Sequence, residues 1–230
     1  MTHAETLFLT VPPQNPAEAK VPAHEQVYRQ IRIMILFGAL APGQAVTIQG
    51  LIDSLGAGMT PVREALRRLI SEGALTHQGN RRVRVPLLSA DCLQELSFMR
   101  GSLEPELARR ACLRITGAEI DALTACDDTL NTAIDAGDIG GYLTENYRFH
   151  ATLYAIAEAP IMAATVDRLW LRFGPSLRVV CGRFGTRNLP DKHQELLAAL
   201  RLNNADHAAH AMAEDVAQGM VQIKAALSDP

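Results

Sequence analysis

Three short helical periods and then an alternating pair, all packed into residues 24–85, leave this chain few folds to choose from. Val27, Tyr28, Ile31, Ile35 and Leu36 recur at helical spacing, and Phe37-Gly38 followed by Ala41-Pro42-Gly43 ends that run. A second helix fits residues 48–55, with Thr47 as N-cap and Leu51, Ile52 and Leu55 facing inward, and it stops at Gly56. After a turn at residues 56–59, Thr60 is expected to cap a third helix with Pro61 at its first position, where the missing amide hydrogen costs nothing. Val62, Ala65, Leu66, Leu69 and Ile70 form the apolar stripe of that helix, while Arg63 and Arg67 point away and Arg68 stands at the margin. Glu72-Gly73 closes it, and residues 75–77 and 82–85 alternate as two strands around a turn at 78–81. Three helices and a hairpin in this order describe a winged helix-turn-helix.

Pro86 opens a different body. Helical periods run over residues 90–115, 117–136, 139–157, 160–180, 189–202 and 206–227, with breakers at Thr116-Gly117, Gly137-Asp138, Ala159-Pro160 and 182–190. Pro105 is expected to kink or divide the first of them. No convincing alternating run appears, so the fold class is mostly α: a winged helix-turn-helix followed by an antiparallel bundle of six or seven helices. The expected organisation is an arm at residues 1–21, a front domain at 22–85, a linker at 86–90 and a helical body at 91–228. The chain has no basic start leading into an apolar run and no stretch of eighteen apolar residues, which points to the cytoplasm. Its four cysteines, Cys92, Cys112, Cys126 and Cys181, include no CxxC pair and read as ordinary buried thiols.

The net charge of -3 hides a division. Residues 22–85 hold eight arginines and four acids, or +4, whereas residues 86–230 hold 13 bases and 19 acids, or -6. A basic module on an acidic body fits a polyanionic partner for the front half alone. In a helix-turn-helix the second helix of the motif enters the major groove with its first residues at the base edges. Here those are Thr60 and Arg63, with Arg67 one turn later, while Arg81, Arg82 and Arg84 belong to the wing. The competing reading pairs Arg63 with Glu64 or Asp53 and leaves the other arginines solvated.

The stretch LFGALAPGQAVTIQGLIDSLGAGMTPVREALRRLISEGALTHQGNRRVRV, residues 36–85, resembles the front domain of the GntR family of bacterial transcription regulators. The resemblance implies a dimer on a palindromic DNA operator, contacted through Thr60, Arg63, the wing residues Gly79, Asn80, Arg81 and Arg82 and, more weakly, Gln49 and Met59, to which its place one turn after Arg63 adds Arg67. The chain departs from the family at Met59, where an arginine is usual, at Gly58 in place of a serine, at Gln49 in place of an acid or arginine, and at Arg82 in place of a wing glycine. Losing the guanidinium at Met59 removes a bidentate contact to a base.

The helical body resembles the FCD-type effector domain of the family's FadR-like branch, in Arg100-Gly-Ser-Leu-Glu104, Asn146-Tyr-Arg-Phe-His150, the run from His193 to Leu200 and the pattern ending at Asp215. Asn146 and His150 share a helix face four residues apart. The resemblance implies a divalent metal such as zinc, nickel or manganese among Asn146, His150, His193 and Asp215, with positions left for a small carboxylate effector. An amide stands here for the usual aspartate at 146, and a carboxylate for the usual histidine at 215. His207 and His210 fall off that face and read as surface residues. Among Arg100, Arg148 and Arg172, the first and last are the candidates for holding an organic acid.

The implied function is ligand-responsive transcriptional regulation by a homodimer with no membrane role, in which effector binding near His150 and His193 changes the spacing of the winged domains through residues 86–91. Repression relieved by ligand is the default. Two rivals remain at this point: a DNA-binding structural protein with a ligand-blind bundle, and a metal-dependent hydrolase, for which no nucleophile or general base stands apart from the ligands.

Overall fold

Elements of the chain are seen in a computed structural model that describes residues 21–79, 82–186 and 192–228. The arm expected at 1–21 lies almost wholly outside them, as do Asn80 and Arg81 of the wing turn. Helix α1, Ala23–Leu36, buries Val27, Ile31 and Ile35 against helix α3, Met59–Ser71. It stops at Gly38, whose φ of +67° suits the sharp turn and whose missing Cβ leaves room for Arg178, since a Cβ there would lie 2.6 Å from that residue's own. Helix α2, Ile48–Leu55, is capped as expected by the Thr47 hydroxyl accepting from the Gly50 amide at 3.1 Å, and ends at a left-handed Gly56.

The start of α3 corrects the sequence reading. Gly58 is its N-cap, in extended conformation and without a side-chain cap, so Thr60 and Pro61 lie inside the first turn. None of the first four amides of a helix has an intrahelical acceptor, so a proline is tolerated at any of those positions and does not by itself mark the first. Thr60 and Met59 are thereby exposed on the leading turn.

The wing is formed by β2, Thr76–Gln78, and β3, Arg82–Arg84, antiparallel in the register Thr76↔Arg84 and His77↔Val83. A further strand, β1, Ala45–Val46, pairs with the other edge of β3 and makes a three-stranded sheet of order β1-β3-β2. Two residues carry no readable alternation, which is why β1 escapes a sequence reading.

The body comprises α4, Ala90–Cys112; α5, Gly117–Ala136; α6, Ile139–Ile156; α7, Pro160–Phe184; α8, His193–Arg201; and α9, Ala205–Ser228. Thr116 and Glu119 make a reciprocal capping box at the start of α5, and Asp138 caps α6 through the Gly141 amide at 3.0 Å. Helix α4 is not divided at Pro105: the carbonyl that proline leaves unpaired is that of Gly101, which is exposed and open to water. Helices α4 and α9 lie alongside each other, and Leu107, Leu130, Phe149 and Phe173 are among the fully buried side chains of the bundle.

The two halves are fastened together where α1 meets α7. Gly174 passes so close to the end of α1 that a Cβ there would stand 2.8 Å from the Leu36 carbonyl oxygen. Beside it the buried Arg32 pairs with Asp167 and donates to the Tyr147 hydroxyl at 2.9 Å, while that hydroxyl donates to Asp167 at 2.6 Å. Burial, with the Asp167 charge adding to it and the Arg32 charge opposing, holds the Tyr147 phenol well above its ordinary value, so it stays a donor. Removing one member of such a paired, largely desolvated group costs on the order of 3–5 kcal/mol.

Candidate DNA-binding face and candidate metal and effector site

The outward side of α3 divides its arginines by what they already hold. Arg68 donates to Glu25 at 2.9 Å and Glu72 at 3.1 Å and lies 3.6 Å above the Tyr28 ring, so it ties α3 to α1. Arg63 and Arg67 are exposed and take part in no hydrogen bond or ion pair among the described residues. Glu64 meets His24 at 3.9 Å and Asp53 accepts from Gln49 at 2.8 Å, so neither acid takes up Arg63. Thr60, Arg63 and Arg67 therefore share a surface with Met59, which is 50% exposed, and Arg82 is exposed on β3. Uncommitted guanidinium forks beside the free amides of a helix N-terminus form a surface suited to phosphates and guanine edges. Gln49 is exposed at the start of α2 with its amide turned to Asp53.

Inside the body, α6, α8 and α9 bring His150, His193 and Asp215 together, their ligand atoms all within 4.8 Å of one another. His150 Nε2 is 3.4 Å from His193 Nε2 and 3.4 Å from Asp215 Oδ2. The far side of each ring is engaged. His193 Nδ1 lies 2.9 Å from Asp127 Oδ1, a carboxylate that also accepts from Asn131 at 3.2 Å and from Gln194. His150 Nδ1 lies 3.0 Å from the Tyr154 hydroxyl, which donates to Glu104 at 2.6 Å, and Glu104 is held by both Nε and Nη2 of Arg100.

Proton counting follows from those partners. Asp127 accepts only, so His193 carries its proton on Nδ1; Tyr154 has spent its proton on Glu104, so His150 also donates from Nδ1. Both Nε2 lone pairs and an Asp215 oxygen then converge with no hydrogen between them. With a proton on the imidazoles instead, and although burial opposes it, a hydrogen bond from His150 and the charges of His150 and His193 would hold the Asp215 carboxyl well below the usual carboxylate range. With both Nε2 positions bare the trio is suited to a cation: two of its separations are 3.4 Å, and all its ligand atoms lie within 4.8 Å of one another. Ligand bonds of about 2.0–2.1 Å at tetrahedral angles place donor atoms roughly 3.3–3.4 Å apart.

Residues 23–85 match the description "Bacterial regulatory proteins, gntR family", and residues 95–218, more than half the chain, match the FCD domain. The chain belongs to the GntR family and carries an FCD domain. Over 198 residues it is 29% identical to the HTH-type transcriptional regulator McbR of Escherichia coli K12, spanning 85% of this chain and 90% of that protein. The solved structure of E. coli McbR/YncC superposes with a TM-score of 0.84 at 28% identity, covering 89% of this chain and 98% of the other. The HTH-type transcriptional repressor RspR of E. coli K12 is 25% identical over 215 residues, covering 90% and 93%. This GntR-family chain is a DNA-binding transcriptional regulator, its relatives are regulators and not enzymes, and no described helix is long and apolar enough to cross a membrane.

In this regulator Asn146 sits one turn before His150 on the same face of α6, buried, and makes no hydrogen bond among the described residues. Arg100 is buried near the trio, but its charge is already matched by Glu104 and its guanidinium packs 3.9 Å over the Phe173 ring. Arg172 does not join the site. Trp170, two residues earlier on α7, meets His150 at 5.3 Å, and residues two apart on a helix face opposite sides, so Arg172 points away, toward Gly73 at the end of α3. His207 and His210 are exposed, the latter 3.5 Å from Glu214, and Arg148 pairs with Glu145 on the surface. Sequence reasoning missed Asp127, Tyr154 and Glu104. The spacing of four between His150 and Tyr154 could have signalled the second; only the packing of α5 on α6 and α8 reveals the first.

Proposed function

We propose that this GntR-family regulator is a homodimeric repressor whose hold on its operator is set by a small organic acid bound in the helical body, at a divalent metal of the zinc, nickel or manganese class. The convergence of two histidine lone pairs and one carboxylate, each fixed from behind, is the observation that carries this reading. His150, His193 and Asp215 would hold the ion, with Asn146 as a neutral fourth donor beside them. The ion supplies Lewis-acid positions for a carboxylate, and the chain's own groups keep the imidazoles oriented and the site dry. The name of RspR supports the repressor role. Operator contacts fall to Thr60, Arg63, Arg67, Arg82 and the turn residues Gly79, Asn80 and Arg81, with Gln49 and Met59 at the edge. An operator partner makes the cytoplasm its place of work.

Coupling between the two sites has a short route. Tyr147 lies three residues before His150 on α6, its ring meets Trp170 at 5.4 Å, and its hydroxyl holds Arg32 of α1. A shift of α6 on loading the site is thereby transmitted to the DNA-binding half. In the wild type, stripping the metal with a chelator should change operator affinity; in Tyr147→Phe that change should shrink severalfold, with metal content and fold retained, as read by fluorescence anisotropy. Undiminished coupling in the variant would refute this route.

The dimer is assigned to the outer face of α4 and α9. Phe98 is 74% exposed there, near Gly101 and Ser102, and Val221 is 67% exposed on α9. An apolar residue among small ones lets two helices approach closely across a two-fold axis. Phe98→Glu would bury a charge in each half and should raise the dimer dissociation constant at least about a hundredfold. Light scattering at micromolar protein would show monomer; an intact dimer would move the interface elsewhere.

A further inference from the structure

An opening separate from the histidine site lies where the wing meets the helical body. It is a groove of about 880 Å³ with walls from α3, β2, β3, the 86–89 connection, α4 and α7, and it shares no residue with the His150 trio. Apolar side chains, Leu75, Leu96 and Leu169 among them, line much of it. Two arginines line the same space, Arg84 from β3 and Arg172 from α7.

Neither arginine is paired with an acid among the described residues. Arg84 Nε is enclosed yet has no hydrogen-bond acceptor among them. Arg172 has no hydrogen bond or ion pair among the described residues, and its Nη2 stands where a Cβ on Gly73 would come within 2.2 Å, so the bare glycine at the end of α3 is what admits it. Glu95 and His77 also line the groove, but among the described residues no salt bridge joins Glu95 to either arginine. Unpaired donors over an apolar wall, in a space of the size small ligands occupy, select for a particular chemistry: an anionic head that accepts from both forks and a hydrocarbon or aromatic body.

We propose that this groove is a second ligand site, independent of the metal and effector site, and that it takes a small amphipathic monoanion with its carboxylate or sulfonate on Arg84 and Arg172 and its apolar body along Leu75, Leu96 and Leu169. Such a ligand touches the end of α3, the wing strand and α7 at once. It would therefore fix the orientation of the DNA-binding half on the helical body, as a control input separate from the histidine site.

The test uses the full chain and 8-anilinonaphthalene-1-sulfonate as a fluorescent probe, with decanoate and uncharged decanol as competitors. One probe site per chain is expected, displaced by decanoate at concentrations at least tenfold below those needed for decanol. Arg84→Met and Arg172→Met should each weaken the probe at least tenfold, and Leu169→Trp, which fills the groove without touching charge, should block it even if an arginine variant folds poorly. His150→Ala should bind the probe as the wild type does. Equal competition by decanol, or undiminished binding in both Arg172→Met and Leu169→Trp, would overturn the proposal. So would loss of the probe in a folded His150→Ala, which would place it in the effector site; loss of metal in that variant with probe binding intact separates the two sites.

Discussion

Arg63→Ala is expected to lower operator affinity by between about thirtyfold and about twenty-thousandfold while leaving the dimer folded. The range comes from two copies per dimer, each losing a fork contact of roughly 1–3 kcal/mol to a base. The side chain is exposed on the leading turn of α3 and is committed to no partner among the described residues, so its removal deletes no contact seen in the free protein. Arg68→Ala is the informative contrast: that guanidinium holds Glu25, Glu72 and the Tyr28 ring, so its loss should destabilise the front domain instead. Mobility shift on a fragment selected from genomic DNA, with thermal melting in parallel, distinguishes the two. Should Arg63→Ala bind normally, recognition would have moved to the wing; should it unfold, the assignment of its face would be wrong.

The second large effect is on metal. Tag-free wild-type protein should carry about one equivalent of divalent ion per chain by plasma mass spectrometry, and Asp215→Ala less than about a tenth of that. Asp215 is the only anion among the three donors, so alanine leaves two neutral imidazoles and no charge to match the ion. A chelator should lower the wild-type melting temperature, by linkage worth about 2.7 kcal/mol when free metal stands at a hundred times its dissociation constant, and leave the variant unmoved. A folded wild type without metal would mean that His150, His193 and Asp215 work through protons and hydrogen bonds alone.

Much of this was legible from residues. The Thr47 cap, the breaker at Thr116-Gly117 and the glycine stops at 38, 56 and 137 placed α2, α5 and the ends of α1 and α5 close to where they lie. The start of α3 was misplaced because a first-turn proline is compatible with several positions, and β1 was missed because two residues have no period. For the proposed metal site, the resemblance nominated four corners, and three of them converge; the amide of Asn146 stands beside them without a hydrogen bond among the described residues. Arg172 was nominated for the same pocket and stands at the groove under α3 instead, since the face of α7 that meets His150 is taken by Trp170.

Helical period, capping and turn chemistry act over a few residues, and so the order of elements, the exposed arginine face of α3 and the all-helical body were determined by the sequence itself. What required tertiary structure is everything that depends on which faces meet. The proton positions on His150 and His193 are decided by Tyr154 one turn away and by Asp127, 66 residues distant in the chain. The fastening of the two halves depends on Arg32 finding Tyr147 and Asp167, 115 and 135 residues along. Hydrogen bonds and lone-pair convergence are set by positions to within a fraction of an ångström, and only the packing of α1, α5, α6, α7, α8 and α9 against one another supplies them.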